Sequence, residues 1–198
     1  MHPMKVEKSR IVALTDASYN RRKTCPSVFA GMFFVSGYDV DCDQNLYTNE
    51  PTDRLAPVSS KPAWVRASLV FWRTRVVIRR VGAILDVATL SIQCGSVAAE
   101  YLQNLGLGMQ VVCSKLKPCI FNDNDSTITH VKSSNKHKNP RMSVIWGALR
   151  QAFTSNKLAL KFLCGKSLNI VDVGTKLKSN ALPLFIKSLR LGKLFRTP

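Results

Sequence analysis

The first third of the chain alternates short apolar runs with polar breaks. Runs at about 11–19, 27–35 and 64–80 are rich in β-branched and aromatic residues, which favours strands. Polar turn residues follow the first run, so the first two strands are expected to form an antiparallel hairpin and the third to complete a meander. Residues 38–63 are acidic and contain prolines, which predicts a long surface loop or insertion.

Helical spacing begins in the second half of the chain. Apolar residues at every fourth position from 97 to 109 form one stripe of a predicted helix at about 94–109. An apolar run ending at Asn122 then breaks into a helix reaching about residue 133, and a second helix is expected at about 142–154. The remaining pattern predicts a strand at 158–163, a helix starting near residue 168 and an amphipathic C-terminal helix at about 180–194.

Charge is distributed unevenly. The chain has 29 Lys and Arg against 12 Asp and Glu, a net charge of +17, and residues 54–198 alone carry +18. Such an excess attracts a polyanion, so nucleic acid or an RNA-rich assembly is the expected partner, and a membrane surface is not. The basic positions we expect to contact phosphate are Arg73, Arg75, Arg79, Lys136, Lys138 and Arg141. For the three arginines there is an equal alternative to phosphate binding: they are solvated charges that protect an edge strand from pairing with another chain.

The cysteines and the N-terminus bear on the cell compartment. None of the six cysteines forms a Cys-x-x-Cys pair, so we expect reduced thiols rather than a zinc site. The N-terminus lacks the apolar core of a secretion signal, and no apolar run is long enough to span a membrane. A single intracellular domain, cytoplasmic or nuclear, spanning residues 1–198 is therefore expected.

Several carboxylates stand at element ends or on helices. Asp123 follows a buried strand, where ligands and metals collect in open α/β sheets, and Asp16 ends the first strand in the same way. Neighbouring Asp125 or Ser126 is expected to cap the following helix. Carboxylates in apolar segments need compensation, either by Lys or Arg or by a pair of divalent cations such as Mg²⁺.

Four short motifs occur in order between about 11 and 194. They are Thr15-Asp16-Ala17-Ser18 with Arg22-Lys23-Thr24 downstream, Ala99-Glu100-Tyr101, Ile120-Phe121-Asn122-Asp123-Asn124, and Ile170-Val171-Asp172-Val173-Gly174-Thr175-Lys176. Together with the element order, they resemble the RNase H domain of copia-type LTR retrotransposons. The resemblance implies an α/β, ribonuclease H-like fold. Its mixed five-stranded sheet would combine a three-strand antiparallel meander with parallel strands and be flanked by helices.

The resemblance also implies an activity. It implies a nuclease, that is, a hydrolase that cleaves the RNA strand of RNA–DNA hybrids. Two Mg²⁺ ions, or Mn²⁺ in their place, would be bound by Asp16, Glu100, Asp123 and Asp172. A reverse-transcriptase partner or a larger ribonucleoprotein would fit this origin. Some positions depart from the family pattern: the link from the third strand to Glu100 is longer, and Val97-Ala98 precede Ala99-Glu100. The alternative function is therefore a catalytically silent, domesticated domain that holds nucleic acid or serves as a structural component of a ribonucleoprotein.

Overall fold

A computed structural model describes residues 6–20, 26–36, 63–77, 83–133, 138–163, 169–176 and 180–196. Most of the predicted 38–63 loop lies outside these residues. The described strands form one six-stranded sheet in the order β5-β4-β1-β2-β3-β6. The strands are β1 (Arg10–Ser18), β2 (Val28–Ser36), β3 (Ala63–Val76), β4 (Cys119–Asn122), β5 (Ala159–Phe162) and β6 (Lys193–Arg196).

The strand directions confirm the predicted architecture. Strands β1, β2 and β3 pair antiparallel as a meander, whereas β4 is parallel to β1 and β5 is parallel to β4. The helices in the described part of the chain are α1 (Ile84–Gly108), α2 (Asp125–Lys132), α3 (Pro140–Thr154) and α4 (Leu182–Leu191). A mixed sheet flanked by helices is what the ribonuclease H-like prediction requires.

The core has two layers, one on each face of the sheet. On one face, α1, α2 and α3 cover residues such as Ile11, Ile120 and Leu160. On the other face, the segment around Ile170 and part of α4 cover residues such as Leu14 and Phe34. Because successive strand residues point to opposite faces, β1 contributes to both layers.

Helix α1 is longer than predicted and uses a different face. It begins at Ile84 rather than near residue 94, and its buried side presents small residues that include Gly95 and Ala99. A Cβ atom added to Gly95 would lie 2.5 Å from Cγ2 of Thr15, so glycine is needed for this close approach. The predicted apolar stripe lies on the solvent side instead: Val97, Tyr101, Leu105 and Met109 are 47–67% exposed.

The C-terminal region differs from the predicted single helix. Helix α4 ends at Leu191 and is followed by Gly192, whose φ of 57° is in the left-handed region that favours glycine at a helix end. The chain then reverses into β6, which pairs with the start of β3 and adds a sixth strand to the predicted five. The helix expected near residue 168 is a short 3-10 helix, Ile170–Gly174.

Candidate functional site

Two aspartates meet at the carboxyl ends of neighbouring parallel strands. Thr15 of β1 lies opposite Asn122 of β4, so the following residues, Asp16 and Asp123, stand side by side. Asp16 is only 3% exposed, and its carboxyl group is close enough to that of Asp123 to raise the pKa of Asp123. The two strand ends therefore bring two acidic groups side by side.

The surroundings of Asp123 make its negative charge unfavourable. Burial raises the pKa of this carboxyl group to about 6, and the neighbouring charge of Asp16 acts in the same direction. One contact acts against this rise, because Asn169 donates a hydrogen bond from Nδ2 to Oδ2 of Asp123 at 3.1 Å. A cation placed between the two carboxylates would therefore be favourable.

A third aspartate approaches from the 3-10 helix. Asp172 forms an ion pair with Lys176, and the hydroxyl group of Thr175 donates a hydrogen bond to Oδ2 of Asp16. The hydrogen bond with Asp172 raises the pKa of Lys176, and the charges of Asp172, Asp16 and Asp123 add to the rise. The turn 172–176 therefore connects the third carboxylate to the other two.

An open cleft of about 490 Å³ lies over this group. Asp16 and Asp123 line it together with the ammonium-bearing Lys176. The N-terminal end of α1 contributes to its wall through Ile84 and Ala88. The cleft is therefore accessible to a ligand, with the carboxyl groups of Asp16 and Asp123 on its surface.

Buried polar contacts fix the end of β4. The side chain of Asn122 donates from Nδ2 to the carbonyl and the hydroxyl oxygen of Thr15, both at 3.0 Å, and its Oδ1 accepts from the backbone N–H of Asn124. Asn124 caps α2 by accepting from the N–H of Thr127 at 2.9 Å. The predicted cap at Asp125 or Ser126 was therefore wrong by one or two residues, because Asn124 is the extended residue that precedes the helix.

Glu100 lies on α1 at a distance from the cleft. Gly95 packs against Thr15, and Gln103 accepts a hydrogen bond from the N–H of Ile11, so α1 runs antiparallel to β1. Glu100 follows Gly95 by five residues on the same helix and is not among the residues that line the cleft with Asp16 and Asp123. The structure therefore places Glu100 outside the lining of this cleft.

The residues present suit a divalent cation in part. Oxygen donors match Mg²⁺, and a cation between Asp16 and Asp123 would relieve the repulsion that contributes to the raised pKa of Asp123. Within the described ranges, however, no three His, Cys, Asp or Glu side chains are gathered so that they could hold a metal ion. The donor set therefore fits one ion between Asp16 and Asp123, with Asp172 engaged by Lys176.

The predicted phosphate contacts lie elsewhere on the surface. Arg73 and Arg75 are exposed on β3 and line a small cavity of about 40 Å³ beside Cys94 of α1. Lys138 and Arg141 are exposed near the start of α3, while Arg79 and Lys136 lie outside the described residues. No helix in the described part of the chain has the length and apolar character needed to cross a membrane.

Three residues at the site had no assigned role in the sequence. Asn169, Thr175 and Lys176 all contact one of the aspartates. Lys176 stands four residues after Asp172, and this spacing is the sequence signal that predicts such an ion pair on a helical turn. Asn169 and Thr175 make contacts across the fold that no local pattern indicates.

Comparisons with known proteins find similarity only at the level of structure. No family model matches the sequence, and no curated protein matches it. An RNase H1 from the archaeon Halobacterium salinarum is 9% identical, with a TM-score of 0.44 over 78% of this chain and 85% of that one. A ribonuclease H1 isolated from compost is also 9% identical, with a TM-score of 0.49 over 83% and 91% of the two chains.

A viral domain shows the same level of similarity. The RNase H domain of prototype foamy virus is 9% identical, with a TM-score of 0.45 over 93% of this chain and 94% of that one. The compost enzyme has also been solved in complex with an RNA/DNA hybrid. Because these identities and TM-scores are low, we infer function from the residues of this chain alone.

Proposed function

We propose that this protein is a metal-dependent endonuclease of the ribonuclease H type, which cleaves the RNA strand of RNA–DNA hybrids. The observation that carries the proposal is the contact between Asp16 and Asp123 at the ends of two parallel strands. Buried carboxylates in contact are unfavourable unless a cation or a proton compensates them. The strand order and the four motifs around Asp16, Glu100, Asp123 and Asp172 also support it.

The residues of this site would have different roles. Asp16 and Asp123 would hold a divalent cation, and Asn169 and Thr175 would keep their carboxyl groups in place through the hydrogen bonds they donate. When bound, Mg²⁺ or Mn²⁺ supplies Lewis-acid activation of a phosphodiester. Lys176, on the wall of the cleft, would attract the phosphate. Two Mg²⁺ ions with Glu100 as a fourth ligand, as the resemblance implies, would require Glu100 to move.

The retrotransposon origin of this activity is also part of the proposal. The copia-type motifs imply an intracellular protein that works with a reverse transcriptase or within a larger ribonucleoprotein. The net charge of +17 supports a polyanionic partner of either kind. Arg73, Arg75, Lys138 and Arg141 are the described positions at which phosphates would be bound.

A second function is favoured by one specific observation. Asp172 is paired with Lys176 and Glu100 lies away from the cleft, so the complete set of four carboxylates is not assembled. A catalytically silent domain that holds RNA or DNA through its basic surface would tolerate this arrangement. This function predicts binding of nucleic acid without cleavage.

Cleavage of a labelled RNA–DNA hybrid in Mg²⁺ and in Mn²⁺ tests the proposal. We expect the wild type to cut the RNA strand and Asp123→Asn to decrease the rate by about a hundredfold or more, because the amide cannot replace a charged ligand. Glu7→Gln is the matched control, since Glu7 is exposed in the 3-10 helix Val6–Lys8 and does not line the cleft, and it should retain the wild-type rate. Tight binding with no cleavage by the wild type would favour the silent function.

A further inference from the structure

Lys176 lies where positive charge is most needed. Its ammonium group pairs with Asp172, and it lines the same cleft as Asp16 and Asp123. Its side chain is 54% exposed, whereas that of Asp172 is 15% exposed. A solvent-accessible ammonium group therefore lies beside carboxylates that are largely buried.

We infer that Lys176 is a built-in counter-ion that takes the place of one divalent cation and competes with metal for the aspartate site. This inference rests on the proposed function, because it assigns a specificity role at the same site. It gives the three aspartates a compensating charge that belongs to the chain itself. It also explains why Asp172 is engaged by an ammonium group rather than being presented as a free ligand.

The charged groups of the cleft support competition between Lys176 and a metal ion. Asp16, Asp123 and Asp125 line the cleft with Lys176, and Asp172 pairs with Lys176, so one ammonium group stands against four carboxyl groups. A divalent cation bound there would lie near the ammonium group, and like charges at short range in a partly buried site repel each other. Lys176 therefore weakens the binding of a divalent cation as long as it stays in place.

The fold places Lys176 in one cleft with several aspartates. It pairs with Asp172 on its own segment and lines the same cleft as Asp16 of β1 and Asp123 at the end of β4. Asp125, in the first turn of α2, lines this cleft as well. From α1, the residues that line the cleft are the uncharged Ile84 and Ala88. Among the described residues that line the cleft, Lys176 is the sole cation.

Mn²⁺ binding, followed by the decrease of the free-ion signal in electron paramagnetic resonance, tests the inference without any activity measurement. The variants are Lys176→Gln, which removes the charge, and Lys176→Arg, which keeps it. Lys157→Gln removes an exposed lysine from the turn after α3 and is the matched control. Thermal unfolding of each variant, followed by circular dichroism, verifies that it is folded.

We expect Lys176→Gln to bind Mn²⁺ about tenfold more tightly than the wild type, because a competing like charge is removed and Asp172 is released. Lys176→Arg and Lys157→Gln should bind like the wild type. Equal or weaker binding by Lys176→Gln, or no binding by either protein, would overturn the inference. The inference would also fall if Lys157→Gln tightened binding as much, since the effect would then be one of general charge.

The two proposals fail in different ways. A wild type that cleaves hybrids while Lys176→Gln binds Mn²⁺ no more tightly would keep the proposed function and refute the counter-ion role. A wild type that cleaves nothing while Lys176→Gln binds Mn²⁺ more tightly would refute the nuclease and support the counter-ion role.

Discussion

Asp123 accepts a hydrogen bond from Asn169 at 3.1 Å, and the carboxyl group of Asp16 stands beside it. These two contacts act in opposite directions on the same proton. The charge of Asp16 favours a protonated Asp123, and the amide of Asn169 favours an ionised one. The protonation of Asp123 and the stability of the fold are therefore linked.

The stability of the protein should decrease as pH rises from about 4 to about 6. The pKa of Asp123 is about 6 in the folded chain against 3.8 for an ordinary aspartate. The folded state thus binds more protons than the unfolded state in this window, so the contribution of Asp123 is most favourable below it and disappears as pH rises through 6. Urea unfolding of Asp123→Asn should show about 1–2 kcal/mol more stability than the wild type at pH 7.5, allowing for partial solvent screening.

The same measurement on Asp125→Asn provides the control. Asp125 is exposed in the first turn of α2, where its negative charge is favourable, so its replacement should destabilise slightly. If Asp123→Asn were less stable than the wild type at pH 7.5, the unfavourable charge of Asp123 would not be the dominant effect.

Replacing Asn169 should move the pKa of Asp123 upward. Asn169 is 1% exposed and donates to the ionised carboxylate, so Asn169→Ala removes a contact that lowers this pKa. We expect the carboxyl carbon of Asp123 to titrate above pH 6 in nuclear magnetic resonance, with a decrease of about 1–3 kcal/mol in stability. A pKa that stays at the wild-type value would mean that Asn169 only fills space.

The close approach of α1 to the sheet should not tolerate a methyl group. Gly95→Ala would place Cβ 2.5 Å from the side chain of Thr15, and the helix would have to shift, with a decrease of about 1–3 kcal/mol in the free energy of unfolding. Gly147→Ala, in α3 with open space around it, should instead stabilise by up to about 1 kcal/mol through helix propensity. Equal effects of the two changes in urea unfolding would contradict the packing of α1 on β1.

Glu100→Gln should leave Mn²⁺ binding unchanged. Glu100 is not among the residues that line the cleft shared by Asp16 and Asp123, so we expect it not to contact an ion bound between them. Mn²⁺ titration should give a dissociation constant that matches the wild-type value. A tenfold or greater weakening would restore Glu100 to the set of ligands that the resemblance implies, and α1 would then have to shift when metal binds.

Arg73 and Arg75 should contribute to salt-dependent binding of nucleic acid. Removing one phosphate contact makes the slope of log affinity against log salt shallower by roughly one, so the double change to glutamine should make it shallower by about two. Fluorescence anisotropy with a labelled RNA–DNA hybrid at several salt concentrations measures the slope. Lys115→Gln with Lys157→Gln, which replaces two other exposed basic residues, controls for net charge.

The parts of the site that follow from local pattern were predictable. Asp16 and Asp123 each end an apolar run, and parallel pairing of two such strands places their ends together. Glu100 was harder to place, because helical periodicity fixes the direction of a side chain but not where the helix begins. With α1 starting at Ile84, Glu100 falls in the second half of the helix and outside the lining of the cleft.

Other features depend on contacts that sequence spacing does not encode. The exposed side of α1 carries large apolar residues and its buried side carries small ones. This is the reverse of the usual rule that the apolar stripe of a helix faces the core. Strand β6 forms because Gly192 redirects the chain along β3, and a local pattern gives no sign of that partner. Asn169 reaches Asp123 from 46 positions away.

The hydrogen bond from Thr175 to Asp16 joins residues 159 positions apart. A contact of such sequence separation can form only after the loop between its partners has closed, at an entropic penalty that local elements do not carry. Strands β1 and β4 could pair before this happens, but the third aspartate and its lysine would still be absent. The contact between Thr175 and Asp16 is therefore a reporter of completed folding, and partly folded chains would present Asp16 and Asp123 without Asp172 or Lys176.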